Sequence, residues 1–139
     1  MAGRYWVVVT SRDHALGGAA LGIIQVNHGK EGPLKRMSEG DQVLIYAPKL
    51  IYKNKEPHQR FVALAELTDE VIFQVEVLPG FSPFRRKANY REIKEVAIGP
   101  LIPELEFIKN KKSWGYSFRF GFFEIGEQDF NLISNSMTK

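Results

Sequence analysis

A chain of 139 residues that is 44% hydrophobic and 25% charged, with a net charge of only +3, suffices for one domain, 1–139, and is neither a disordered tail nor a fibre. Its lack of cysteine excludes a disulfide framework, a thiolate nucleophile and a sulfur-ligated metal. No apolar run reaches membrane-spanning length and no leader-like pattern precedes Tyr5, so a soluble cytoplasmic protein with no membrane partner is expected.

Arg4 to Thr10 is β-rich and apolar on both faces, which predicts a central strand buried on both sides. Ser11 or Asp13 then stands where a helix cap is needed, ahead of a helix over His14 to Leu21. Gly17 and Gly18 sit inside that helix at about 1 kcal/mol each relative to alanine, which points to crowded packing or to a ligand approaching the backbone. The stretch from Ile24 to Pro48 is the most informative. It passes through Asn27-His28-Gly29-Lys30 and a compact basic turn, Pro33-Leu34-Lys35-Arg36-Met37. Gly40-Asp41 then reads as a tight turn feeding a strand, Val43 to Tyr46. Polar groups placed between buried elements are what a concave site requires.

Pro48 to Pro57 is a polar, lysine-rich connection carrying Tyr52. Phe61 to Thr68 and Val71 to Val77 both alternate, with Phe61, Ala63, Ala65 and Leu67 on one face of the first. Val71, Phe73, Val75 and Val77 are predicted to face inward, and Thr68-Asp69-Glu70 to link an antiparallel hairpin. Pro79-Gly80 breaks the chain before a loop, Phe81 to Arg86, with two phenylalanines and two arginines. A short strand is expected around Lys94 to Ala97, a turn or short helix from Gly99 to Leu105, and a basic loop from Lys109 to Gly115 carrying Trp114. Tyr116, Phe118, Phe120 and Phe122 alternate with Ser117, Arg119 and Gly121, which predicts a long strand. A helix from about Glu127 to Met137 closes the chain, with Phe130, Ile133 and Met137 on its apolar face. About six strands with a few short helices in non-alternating order predict an α+β fold with a strongly curved sheet or small barrel.

Charge is unevenly spread. Residues 61–80 hold Glu66, Asp69, Glu70 and Glu76 and no lysine or arginine, so the basic residues bracket an acidic middle. Gathered on one face, the basic loops attract phosphate; otherwise they are solvated loop residues.

Several blocks together resemble a known family. Arg4-Tyr5-Trp6 leading into a strand that ends at Ser11, then Asn27-His28-Gly29-Lys30 to Met37, Gly40-Asp41 and Tyr46, is similar to the EVE domain. Pro79-Gly80-Phe81, Pro83-Phe84-Arg85-Arg86 and Trp114-Gly115-Tyr116 with Phe118-Arg119 resemble its UPF0310 subgroup. The resemblance implies a PUA-like fold, a small mixed β-barrel with flanking short helices, and kinship with YTH domains, which hold a modified base in an aromatic pocket. It departs from the family at Ser11-Arg12-Asp13, where Ser-Glu-Pro is typical, and at His28, where an aromatic often follows the asparagine.

The resulting expectation is a non-catalytic module that binds RNA or DNA, holding a modified base in an aromatic pocket with a basic rim. A pocket for a free nucleotide or other small molecule is the alternative, and a hydrolase a more distant one. The candidate pocket residues are Ser11, Asn27, His28, Gly29, Tyr46, Pro48, Trp114 and Arg119. Aromatic faces stack on a base while amides and hydroxyls meet its edge. The candidate phosphate contacts are Lys30, Lys35, Arg36, Arg85, Arg86 and Lys112. Each has a plainer reading as well: Trp114 and Tyr46 as core, Asn27 as a turn residue, His28 as a structural hydrogen-bonder and Arg119 as a solvated residue. His14, His28 and His58 lack metal-ligand spacing, no elbow motif surrounds Ser11, and no glycine run fits a phosphate loop. No metal or cofactor is therefore expected.

Overall fold

The computed structural model describes residues 3–139. Its strands are β1 (Tyr5–Val9), β2 (Ile23–Ile24), β3 (Gln42–Lys49), β4 (Pro57–Gln74), β5 (Phe84–Tyr90), β6 (Val96–Ala97) and β7 (Phe122–Ile125). Three α-helices, α1 (Arg12–Leu21), α2 (Glu31–Lys35) and α3 (Glu127–Met137), and three 3-10 turns complete the α+β fold. The strands form one mixed sheet in the order β2-β5-β4-β3-β1-β7, with β6 paired to β4. β1 and β3 run parallel, and β7 is antiparallel to β1. The hydrogen-bonded path does not return from β7 to β2, so the sheet stays open. β1 is buried on both faces as expected, but it lies second from the edge and not at the centre.

Two apolar clusters form on opposite faces of this sheet because successive strand residues point to opposite sides. Trp6, Val8, Ile45 and Ala47 face Ile24, Val26, Leu34 and Met37. Val7, Leu44 and Tyr46 face Phe118, Leu105 and the predicted α3 stripe of Phe130, Ile133 and Met137. In β4, Ile45 pairs with Ala63 but the next residue, Tyr46, pairs with Phe61, leaving Val62 as a bulge. Alternation therefore breaks: Phe61 belongs to the Tyr46 cluster, while Ala63, Ala65 and Leu67 belong to the Trp6 cluster.

Asp41 does more than shape its turn. Its carboxylate accepts from Ser38 N, from Arg4 N and from the indole Nε1 of Trp6, each at 2.9 Å, and so locks β1 to the start of β3. Asp129 in α3 likewise accepts from the N–H groups of Glu106 and Phe107.

Three sequence expectations fail here. Thr68-Asp69-Glu70 is not a hairpin link: β4 runs unbroken through it, with an irregularity between Leu67 and Ile72 in its pairing to β5. The hairpin lies later, at Leu78-Pro79-Gly80-Phe81, where Phe81 N donates back to Leu78 O. Val71, Val75 and Val77 are exposed, because no layer covers the end of β4 and the residues that follow it. Tyr116–Phe120 forms a 3-10 turn and not a strand, since Gly121 at φ 74° reverses the chain before β7 begins.

Candidate functional site

Helix α1 carries small residues, Ala15, Gly17, Gly18 and Ala19, where it passes over the sheet, and only Ala15 is buried. Gly18 sits against the Ile23 carbonyl and the Tyr90 hydroxyl, while a side chain at Gly17 would meet nothing within 4 Å. A helix so thinly furnished cannot fill the space above Val8, Ile24 and Ile45. The result is a cleft of about 760 Å³. Its other walls are the connection after β3, the Asn27-His28 turn and the tip of the β4–β5 arm.

At one end of the cleft stands Ser11. It holds the cap position of α1 and its carbonyl accepts from Ala15 N, but its hydroxyl caps nothing. Ser11 is 9% exposed, and among the described residues its Oγ has no hydrogen-bond partner. A buried hydroxyl left unpaired carries a real desolvation cost, so it is a group awaiting a partner. Burial opposes the charge on neighbouring Asp13. The N–H groups of His14 and Tyr52 nevertheless donate to that carboxylate and hold it below its usual range.

Asp13 also fastens the aromatic wall. Its N–H donates to Leu50 O and its Oδ1 accepts from Tyr52 N, which ties the connection after β3 to the start of α1. The Tyr52 ring stacks on His14 with centroids 4.6 Å apart and meets His28 edge-on at 6.0 Å. Lys53 Nζ lies 5.5 Å from the same ring. Tyr90 anchors the inner wall by donating from its hydroxyl to Ile23 O, and burial pushes its phenol up.

Asn27 (φ 48°), His28 (φ 62°) and Gly29 (φ 85°) are three consecutive left-handed residues. Such conformations are costly for residues other than glycine and persist only when the surroundings enforce them. Here Gly121 enforces one side: a Cβ there would lie 2.2 Å from Asn27 Oδ1. Gly29 enforces the other, since a Cβ there would strike Pro83 at 2.3 Å, while Gly29 O accepts from Phe84 N. The turn is wedged between β7's approach and the β4–β5 arm, which aims Asn27 and His28 at the cleft. Arg85, held by Gln25 Oε1 at 3.0 Å, joins Lys49 and Lys53 on the rim.

Comparison with known proteins then places the chain. The EVE domain family model matches residues 4–136. The chain belongs to the EVE domain family. A UPF0310 protein encoded in the gntR 5' region of Bacillus licheniformis is 51% identical over 130 residues, 94% of this chain and 88% of the relative. Among solved structures, a hypothetical protein from Leishmania major superposes with TM-score 0.60 at 16% identity, over 96% of this chain and 94% of that one. An ASCH protein from Zymomonas mobilis gives 0.59 at 7% identity, over 98% and 97%. At such identities these two show the shared PUA-like fold.

Within this EVE domain, four of the candidate pocket residues, Ser11, Asn27, His28 and Pro48, line one cleft, and Arg85, a candidate phosphate contact, stands beside them. The others lie elsewhere. Tyr46 is a core residue, 1% exposed and stacked on Phe118 at 4.2 Å, on the opposite face of the sheet. Trp114 is half-buried against that same cluster. Arg119 is exposed over the Tyr116 ring, and Lys112 is exposed in the preceding turn. Gly29 serves its turn and not the pocket surface.

Arg86 is the sharpest correction. It is 1% exposed, and its Nη1 donates to Leu34 O at 3.0 Å and to Met37 O, its Nη2 to Asp69 O. It fills the irregularity in β4 and cannot reach a phosphate. Lys35 pairs with Glu31 at 3.4 Å, and Arg36 covers Trp6 and Phe122 with its guanidinium 5.3 Å from each ring. Lys30 is exposed at the start of α2.

The residues missed from sequence are His14, Tyr52, Tyr90 and Gln25. Tyr52 had a usable signal, an aromatic inside a lysine-rich connection; the others join the cleft only through packing. Among the described residues, no group of three or more histidines and acids is gathered to hold a metal, and no helix is long and apolar enough to cross a membrane.

Proposed function

We propose that the cleft receives a nucleobase, carried on a strand of RNA or DNA. The observation that carries this is the buried, unpaired Ser11 hydroxyl beside a preformed aromatic wall in a cleft of about 760 Å³. Small-molecule sites occupy roughly 300–1,000 Å³ and combine apolar lining with a few placed polar groups. A base slid against Tyr52 is stacked on one face, while Ser11 and Asn27 offer hydrogen bonds to its edge. The apolar floor of Val8, Ile24 and Ile45 beyond them suits an alkyl substituent, which favours a modified base. Lys49, Lys53 and Arg85 stand where flanking phosphates would leave the cleft.

The test is to retain total cellular nucleic acid on the immobilised protein and measure the retained nucleosides by mass spectrometry. One modified nucleoside, enriched over its parent, is the expected result. Titration of an oligonucleotide carrying that nucleoside should then show affinity falling steeply with salt. Binding of the free nucleotide with equal affinity and no salt slope would replace the polymer with a small-molecule ligand. No enrichment and no binding of either would overturn the proposal.

A further inference from the structure

The end of β4 and the residues that continue it to Val77 have an unpaired edge, and from the hydrogen-bond directions there we infer that two copies of this chain pair, antiparallel, about a two-fold axis at Gln74. This concerns a surface away from the floor of the cleft and does not depend on what the cleft holds.

β3 pairs with β4 from Lys49 opposite Pro57 only as far as Gln42 opposite Glu66. One further bond follows, from Gly40 N to Leu67 O at 2.9 Å. Beyond it, among the described residues, β4 pairs with β5 alone. On that side Val75 N donates to Pro83 O and Val77 N to Phe81 O, in register with Phe73 opposite Arg85. In an antiparallel ladder the groups of alternate residues point to opposite edges. The N–H and C=O groups of Ile72, Gln74 and Glu76 therefore point away from β5, toward solvent.

The side chains repeat the pattern. Val71, Phe73, Val75 and Val77 share one face, with Val71 57% exposed and Val75 and Val77 each 40% exposed. An exposed apolar edge is a template for another strand, which proteins usually blunt with lysine, proline or a cover. Residues 61–78 contain no lysine, arginine or proline.

The segment is complementary to itself. A two-fold axis at Gln74 sets Gln74 opposite Gln74 and Ile72 opposite Glu76 of the second copy, and these are the residues with outward donors and acceptors. Phe73 then meets Val75, and Val71 meets Val77, at the close positions where side chains touch. Glu70 faces Leu78 and Glu76 faces Ile72, so no like charges stand directly opposed. The neighbouring axes do worse: one at Phe73 sets Glu70 opposite Glu76, and one at Val75 sets Ile72 opposite Leu78, whose N–H is already turned to Phe81 O. An axis at Glu76 sets two glutamates face to face, and one at Ile72 runs the ladder into the irregularity between Leu67 and Ile72. The contact is isologous, which closes at a dimer and does not propagate into a fibre.

The chain contains no cysteine, which makes a direct test available. Opposed hydrogen-bonded residues have Cα atoms about 5.5 Å apart, within the roughly 4.4–6.8 Å that a disulfide spans. Gln74→Cys should therefore cross-link to a covalent dimer on mild oxidation. Glu76→Cys, whose two copies would be separated by more than about 13 Å along the strands, should not. Sedimentation equilibrium of the unmodified chain should show a reversible dimer. Gln74→Pro, which removes an outward N–H and none of the β5 ladder, should sediment as a monomer with its circular dichroism retained. A monomeric unmodified chain at the highest concentration reached overturns the inference. So does a dimer in which Gln74→Cys cross-links no faster than Glu76→Cys. Should Gln74→Pro fail to fold, the cysteine pair decides alone.

Discussion

The two faces of the sheet are both rich in aromatic rings, yet one is filled and the other is open. On the α3 side, Phe118 packs face-on against Tyr46 and edge-on against Phe107 at 5.8 Å and Phe123 at 5.5 Å. Side chains there come from β3, from the 3-10 turn Tyr116–Phe120 and from α3, and they interlock, with a shallow hollow at the C-terminal end of α3 beside Ile93 and Met137. On the α1 side the covering helix contributes alanines and glycines, and its leucines Leu16 and Leu21 are exposed. Tyr52, His14 and Tyr90 stand around the space this leaves. Aromatic content therefore does not single out the candidate site. An unfilled space does, together with an unpaired buried hydroxyl and a left-handed turn held by two glycine contacts.

The largest effect that would break this contrast is at Phe118. Phe118→Ala removes the centre of the filled face and should cost about 3–5 kcal/mol of stability, read from urea denaturation. The protein that remains folded should bind its ligand as before. Trp114→Ala should follow the same pattern with a smaller drop, because its ring is half-buried. A loss of affinity with unchanged stability in either variant would move the site to the α3 face.

Next come the two adjacent arginines. Arg86→Ala strips buried carbonyls of their donor, at roughly 1–3 kcal/mol for each acceptor left dry, and should leave the salt dependence of binding alone. Arg85→Ala should do the reverse, holding the denaturation midpoint and flattening the slope of affinity against salt. Equal effects of the two on the salt slope would restore Arg86 to the surface.

Within the cleft, Tyr52→Ala should weaken binding by about 1–3 kcal/mol, the range for stacking of a base on an aromatic ring, with the melting temperature nearly unchanged. Ser11→Ala should cost no stability, since it removes a buried hydroxyl that no partner satisfies, while weakening binding by about 1 kcal/mol. A clear fall in melting temperature for Ser11→Ala would show that the hydroxyl is used within the fold.

The smallest effect concerns the outer end of α1. Glu95 joins Arg12 at 2.8 Å and His58 at 2.6 Å, and so connects the helix to the start of β4. Burial opposes its charge, but hydrogen bonds from His58 and Arg12 outweigh it and hold the carboxyl below its ordinary value of 4.5. A depressed folded-state pKa means that this stabilisation is fully present above the unfolded value and is lost as pH falls through the folded one. Glu95→Gln should accordingly shallow the acid limb of the stability curve below about pH 4.5. Parallel acid limbs for the two proteins would remove Glu95 from acid unfolding.

The local signals in the sequence were sufficient for much of this. The period of α3 marked Phe130, Ile133 and Met137, the β-rich run at Tyr5–Val9 marked a strand, and Asn27-His28 between apolar elements marked the turn at the cleft. The motif blocks placed the chain in its family. Each of these depends on neighbours within a few residues. What failed did so for one reason. The alternation from Val71 to Val77 is genuine, but whether such a face is covered depends on elements elsewhere in the chain, and none covers it. Tyr116–Phe120 has a strand's spacing, but Gly121 packs against Asn27, far away in sequence, and turns the chain there. Arg85 and Arg86 are indistinguishable by composition, and only the irregularity in β4 buries one and leaves the other on the rim. The sequence by itself determined the class of fold, the family and the presence of a polar turn. Only the tertiary structure decided which face would stay open, because that depends on the summed volumes of side chains brought together from distant segments.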